Sequence, residues 1–153
     1  MNYFLSEEAR EAGIEFVGPC HGDAGYDLQS VVSFKIAPNR IFTCSTGLHV
    51  EIPPGHVGII KDRSSMAAKG IHALGGVIDS SYRGEIKVLL FNTQQLVLDP
   101  GVEQLQYKKI EIGDKIAQLV VLPVTTESLV ECDSFEDLTK TGRGAGGFGS
   151  TGR

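Results

Sequence analysis

Few residues in this chain have side chains suited to chemistry, and most of them lie in short, glycine-bounded segments. In Gly75-Gly76-Val77-Ile78-Asp79-Ser80-Ser81-Tyr82-Arg83-Gly84-Glu85, Asp79 directly follows two β-branched residues. A carboxylate held against apolar surface loses hydration, which raises its pKa and suits it to act as a general base. The same aspartate could instead do no more than stabilise a turn. Tyr82, three residues on, offers a flat apolar face with one hydroxyl.

Four other segments carry anion-seeking or unpaired polar groups. Lys61-Asp62-Arg63-Ser64-Ser65-Met66-Ala67-Ala68-Lys69-Gly70 opens a short helical turn after an apolar run, where serine hydroxyls and free N–H groups can take an anion. Plain capping by Ser64 or Ser65 would use the same residues. Asp27, in Asp23-Ala24-Gly25-Tyr26-Asp27-Leu28, sits between apolar neighbours and needs a partner, either an arginine or the water shell of a metal. Gln118 is a polar side chain in an apolar run, bonded either to backbone or to a ligand. Residues 139–153 are glycine-rich and cannot build a core, which fits a linker. They also hold Arg143, Ser150 and Thr151, which favour phosphate, and a lone aromatic, Phe148, able to stack on a ring.

Composition narrows the field. A net charge of −5 with no Lys/Arg cluster argues against nucleic acid or an acidic membrane as partner. No apolar run reaches the length of a membrane span, and the N-terminus lacks the pattern of a signal peptide, so the expected location is intracellular and cytoplasmic, or nuclear in a eukaryotic or viral setting. Cys20, Cys44 and Cys132 are odd in number and far apart, which suggests neither a disulfide framework nor a zinc site. The four histidines, His21, His49, His56 and His72, show no metal spacing and read as surface or incidental. A Gly-x-Ser-x-Gly elbow, a phosphate-binding loop ending in Gly-Lys-Ser/Thr and the Rossmann glycine pattern are all missing.

The elements that must position these residues are strands. Apolar residues recur at every second position in Val32-Phe34-Ile36, Leu48-Val50-Ile52, Val57-Ile59 and Ile86-Val88-Leu90. The runs around Val77-Ile78 and Ile86-Leu90 read as one β-hairpin, Gly113-Asp114 reads as a second tight hairpin, and Leu119 to Leu122 reads as a fully buried strand ended by Pro123. Pro53-Pro54-Gly55 and Asp99-Pro100-Gly101 read as turns. Helix is limited to residues 6–13, capped by Ser6 and stopped by Gly13, to Ser65–Lys69, and to an Asp133-x-x-Glu136 capping box. The expectation is an all-β sandwich or jelly roll over residues 1–138, followed by a flexible arm over 139–153.

Taken together and in this order, five segments resemble the trimeric deoxyuridine triphosphate nucleotidohydrolases (dUTPases). They are Ala24 to Leu28, Arg63 to Gly70, Gly76 to Gly84, Gly113 to Gln118 and Arg143 to Gly152. The resemblance implies a homotrimeric jelly roll whose active sites are each assembled from more than one subunit. It implies hydrolysis of dUTP to dUMP and pyrophosphate, with Asp79 as the base that deprotonates the attacking water. Mg2+ would be carried by the three phosphates, with Asp27 touching it through a water. Arg63, Ser64, Ser65 and Gln118 would contact phosphates, and Tyr82 would pack on the deoxyribose. Main chain around Gly76, Val77 and Ile78 would read the uracil edge. Phe148 would stack on uracil when a neighbour's arm closes, with Arg143, Gly149, Ser150 and Thr151 beside it.

Two positions depart from the family pattern. Ser81 stands where many members carry a second aspartate, making the local field less negative, and Asp62 stands where proline is frequent, altering the rigidity of the loop that follows. The related dCTP deaminases need a proton-shuttling glutamate in the strand after the aspartate segment, and here that position is Leu89. A silent binding module that kept the fold is the other rival, opposed by the presence of Asp27, Asp79, Tyr82, Arg143 and Phe148 together.

Overall fold

The computed structural model describes residues 1–95 and 107–146. In chain order the elements are β1 (Tyr3–Leu5), α1 (Glu7–Glu11), β2 (Gly25–Gln29), β3 (Phe34–Ile36), β4 (Ile41–Ser45), β5 (Leu48–Val50) and β6 (His56–Lys61). They continue with α2 (Ser64–Ala67), β7 (Ile71–Leu74), β8 (Val77–Ile78), β9 (Lys87–Asn92), β10 (Lys108–Ile110), β11 (Lys115–Pro123) and a 3-10 turn, Phe135–Asp137. The strands form a four-stranded sheet ordered β2-β11-β6-β8, a three-stranded sheet ordered β4-β9-β7, and the pairs β1-β5 and β10-β3. Many short antiparallel strands around one core make this the all-β, jelly-roll type of architecture.

Alternation puts one face of each strand inside. Leu28, Ile60, Ile116 and Leu119 come from the four-stranded sheet, and Cys44, Ile71, Val88 and Leu90 from the three-stranded one. Ile36, Ile110, Leu48 and Val50 from the two small pairs join the same cluster. Helix α1 is capped as its sequence requires: the Ser6 hydroxyl accepts from the Ala9 N–H, and Gly13 takes φ +68° just past the end. The Pro53-Pro54-Gly55 turn forms, with Gly55 at φ +73°.

Four expectations based on local pattern are corrected. Val77–Ile78 and Lys87–Asn92 do not pair with each other: β8 joins β6 in one sheet, whereas β9 lies between β4 and β7 in another. Around Gly113, which turns at φ +83°, β10 pairs with β3 and β11 with β2 and β6, so the turn is there without the hairpin. Strand β11 is not buried throughout, because Leu122 is 47% exposed and Val120 and Val121 are only half-buried. The capping box near the end is shifted by one residue, to Ser134 with Asp137. The Asp99-Pro100-Gly101 turn lies outside the described residues.

Of the three free cysteines, Cys20 and Cys132 are exposed and Cys44 is buried beside the Ser30 hydroxyl, 3.1 Å away. Burial pushes the Cys44 thiol up to about 11, outweighing the Ser30 hydrogen bond that lowers it. Thiolate is the reactive form, so the folded protein at pH 8 is expected to leave Cys44 unalkylated by iodoacetamide until denaturant is added. Peptide mass mapping before and after unfolding would check this.

Candidate active site

Strand β11 brings the first half of the site together. Its register sets Gln118 opposite Asp27 of β2 on one side and opposite Lys61 of β6 on the other. Residues far apart in sequence thus meet at one end of the sheet. Asp23, Ala24, Gly25, Asp27, Arg63, Ser64, Ser65 and Gln118 line an open cleft of about 390 Å³.

Asp27 has found the arginine it needed, and a lysine as well. Its Oδ1 lies 2.8 Å from Arg63 Nε and its Oδ2 lies 2.8 Å from Lys115 Nζ. Nothing in the spacing of Lys115, within Gly113 to Gln118, marks it as the partner of Asp27. Gln118 is backbone-bonded, as one of its two readings held: Nε2 donates to the Asp62 carbonyl at 2.9 Å. Gly25 leaves room beside it, since a Cβ there would come within 2.7 Å of Gln118 Oε1 and displace that side chain. Helix α2 starts with Arg63 at the N-cap and no side-chain cap, so Ser64 and Ser65 are not occupied in capping it. Both are exposed at the cleft.

The second half is built around Asp79. Gly76 adopts φ +104° with its Cα against Ile60, where a Cβ would stand 2.9 Å from Ile60 Cβ, and this lets the chain leave β7 and pair with β6. Beyond β8 the chain turns, the Tyr82 N–H donating to the Asp79 carbonyl at 3.1 Å. The Tyr82 hydroxyl donates to the Glu85 carbonyl at 2.9 Å, folding its ring over Gly84, where any Cβ would collide with it. Arg83 Nη1 donates to the carbonyls of Ser80 and Tyr82 at 2.7 and 2.8 Å, and its Nη2 lies 3.5 Å from Glu51. His49 Nδ1 is 3.0 Å from the Arg83 carbonyl. These supporting contacts were not readable from local pattern, because Glu51 and His49 come from a distant segment.

The desolvation expected for Asp79 is not supplied by this chain. Asp79 is exposed, and so is its neighbour Val77 at 67%. The two halves are also apart. Gly58 faces Ile78 and Lys61 faces Gln118, so Asp79 lies near the start of β6 while Asp27, Gln118 and Arg63 lie at its end. Four residues of strand and two intervening strands place Asp79 on the order of 20 Å from Asp27. A general base must come within about 3 Å of the proton it takes. One chain therefore does not place Asp79 against its own Arg63-Ser64-Ser65 cleft.

Arg143 is exposed in a turn, its Nε donating to the Gly146 carbonyl at 2.7 Å, and makes no described contact with the strands. Phe148, Gly149, Ser150 and Thr151 lie outside the described residues. Leu89 sits on β9 opposite Thr43 and Leu74, so the position offers no proton-carrying group.

The fold and the cleft define an all-β, jelly-roll protein with an open polar site at one end of its four-stranded sheet and a separate carboxylate loop. The family model for dUTPase matches residues 19–152. A deoxyuridine 5'-triphosphate nucleotidohydrolase of Mycobacterium leprae (strain Br4923) is 47% identical, covering 99% of this chain and 97% of that protein. Among solved structures, the dUTPase of Staphylococcus bacteriophage 80alpha with dUPNHPP superimposes with a TM-score of 0.83 at 27% identity, covering 99% of this chain and 98% of that one. The dUTPase from phage phi11 of S. aureus, which coordinates a structural Mg(II) ion, gives a TM-score of 0.74 at 28% identity over 88% of this chain and 97% of that one. The chain belongs to the dUTPase family.

Gly76→Ala is expected to cost about 1–3 kcal/mol through its positive φ and the contact with Ile60. A lowered urea midpoint at fixed protein concentration would show it, and an unchanged midpoint would mean that β8 can leave β6 without loss.

Proposed function

We propose that this protein hydrolyses dUTP to dUMP and pyrophosphate, acting as a homotrimer whose sites each combine the Arg63-Ser64-Ser65 cleft of one copy with Asp79 and Tyr82 of another. The observation that carries this reading is the convergence of Asp27, Arg63, Ser64, Ser65 and Gln118 on one cleft while Asp79 stands at the far end of the same sheet.

The cleft suits a triphosphate. Arg63 can exchange its hold on Asp27 for phosphate oxygens, and Ser64 and Ser65 present hydroxyls and N–H groups to the same anion. Asp79 of a neighbouring copy, brought against a water on the far side of the α-phosphorus, takes the proton as the oxygen attacks in line, and pyrophosphate leaves. The docking of that copy would also supply the apolar surround that Asp79 lacks in a single chain. Tyr82, its hydroxyl already engaged, presents only its ring face to the sugar. A ribose 2′-hydroxyl pressed there would lose water without a partner, at about 1–3 kcal/mol. Backbone of residues 76–78 would read the uracil edge, and the arm from residue 139 onward would close with Arg143 and Phe148.

The donor set also fits magnesium brought in with the nucleotide. Among the described residues no three His, Cys, Asp or Glu side chains gather to hold a bare cation, while Asp27 offers one carboxylate at the cleft for contact through water. When bound, the ion neutralises phosphate charge. Such an activity belongs where deoxynucleotides are made, inside the cell, supplying dUMP and keeping uracil out of DNA.

Incubation with dUTP, dCTP, dTTP and UTP in separate reactions, assayed for pyrophosphate and for ammonia, tests the reading: pyrophosphate from dUTP alone is expected, and ammonia from dCTP would overturn it. Asp79→Asn should lower turnover at least a thousandfold while keeping dUTP binding, and near-normal turnover would remove Asp79 from the role of base. Deleting residues 140–153 should leave a folded trimer with severely reduced activity. An intact rate in that truncation would reduce the tail to a linker.

A further inference from the structure

Asp62, immediately before the Arg63-Ser64-Ser65 loop, is the meeting point of three hydrogen bonds from two other strands. Its Oδ1 accepts the Ala73 N–H at 2.6 Å, and its Oδ2 lies 2.7 Å from His72 Nδ1. A carboxylate only accepts here, so His72 carries its proton on Nδ1 and donates. The Asp62 carbonyl meanwhile accepts from Gln118 Nε2 at 2.9 Å. One residue thus ties the end of β6 to β7 through its side chain and to β11 through its backbone.

The loop that follows is held further along by Arg63, paired with Asp27 Oδ1 at 2.8 Å, and by Met66, only 5% exposed in the core. Helix α2 is four residues long, carries no side-chain cap, and exposes Ser64 and Ser65. At its far end Thr93 fastens the Gly70 carbonyl through its N–H at 2.9 Å and its hydroxyl at 3.0 Å. The direction in which Ser64 and Ser65 face the cleft is therefore set by these anchors together, and Asp62 is the one that fixes where the loop leaves β6. Gln118, itself a cleft residue, is aimed by the same carbonyl.

Resting on the triphosphate reading of the cleft, we infer that Asp62 is a positioning residue for phosphate binding: its clasp on His72 and Ala73 holds Arg63, Ser64, Ser65 and Gln118 in the arrangement that receives the phosphate chain. It touches no substrate. Its loss acts on the phosphate end of a ligand and spares the end read by the Tyr82 loop.

Wild type, Asp62→Ala, Asp62→Asn and His72→Gln trimers are compared in kcat and KM for dUTP, in calorimetric binding of dUpNHpp, and in inhibition by deoxyuridine, which has no phosphate. Asp62→Ala is expected to weaken dUpNHpp about tenfold and raise KM similarly, with deoxyuridine changed less than twofold. Asp62→Asn keeps an oxygen for the Ala73 N–H and should return dUpNHpp to within threefold of wild type, which also tests the inference if the alanine variant fails to fold. His72→Gln should fall between them. Equal losses for deoxyuridine and dUpNHpp, an unaltered alanine variant, or an asparagine variant as weak as alanine would each overturn the inference. A wild type that binds dUpNHpp in this Asp62-dependent way but turns over no dUTP would remove the hydrolase reading and leave the clasp standing.

Discussion

Strand β11 is paired along both edges, to β2 on one side and β6 on the other, and this double register decides where each cleft residue lies. Because side chains alternate along a strand, a slip of one residue would turn Gln118 into the core and bring Ala117 to the cleft. The slip is resisted from within, since Ala117 and Leu119, which share a face, are both fully buried and would have to turn outward. Apolar packing in the core thus fixes the polar geometry at the sheet's end.

The Asp27 pairs with Arg63 and Lys115 are suited to being given up. The side chains of Asp27 and Arg63 are about a third exposed and that of Lys115 about half, and ion pairs of that kind contribute about 0–1 kcal/mol. In the proposed site, a polyphosphate would offer the planar guanidinium of Arg63 several charged oxygens in exchange at small cost. In this chain Asp27 keeps the guanidinium near the cleft mouth, which would limit the rotamer freedom lost in the proposed binding. Asp79 is differently placed: its loop is shaped in advance by Tyr82, Arg83, Glu51 and His49, while its carboxylate is left in water. In the proposed trimer, shape is fixed within the chain and environment is completed between chains.

Much of this was legible in the residues. The period-two runs gave the all-β class, Ser6 and Gly13 bounded α1, and the five segments pointed to the family that the comparisons bear out. What local pattern could not give was pairing between distant strands. Val77-Ile78 and Ile86-Leu90 flank a turn and look like a hairpin, yet Gly76 sends the first of them into a different sheet. Asp62 and His72 looked like a family departure and an incidental histidine. Their contact depends on the tertiary approach of β6 and β7, which no spacing of ten residues announces. The same holds for Lys115 with Asp27 and for Arg83 with Glu51.

The placement of the two half-sites at opposite ends of β6 has a genetic meaning. In a shared-site trimer, a chain that has lost Asp79 can still lend its Arg63-Ser64-Ser65 cleft to a neighbour, and a chain with a ruined cleft can still lend its Asp79. Two alleles, each inactive alone, would then complement one another when co-expressed, because some mixed trimers contain one site built wholly from intact halves. A lesion in the core, such as at Leu90 or Ile116, damages both halves of its own chain at once and has no half left to donate.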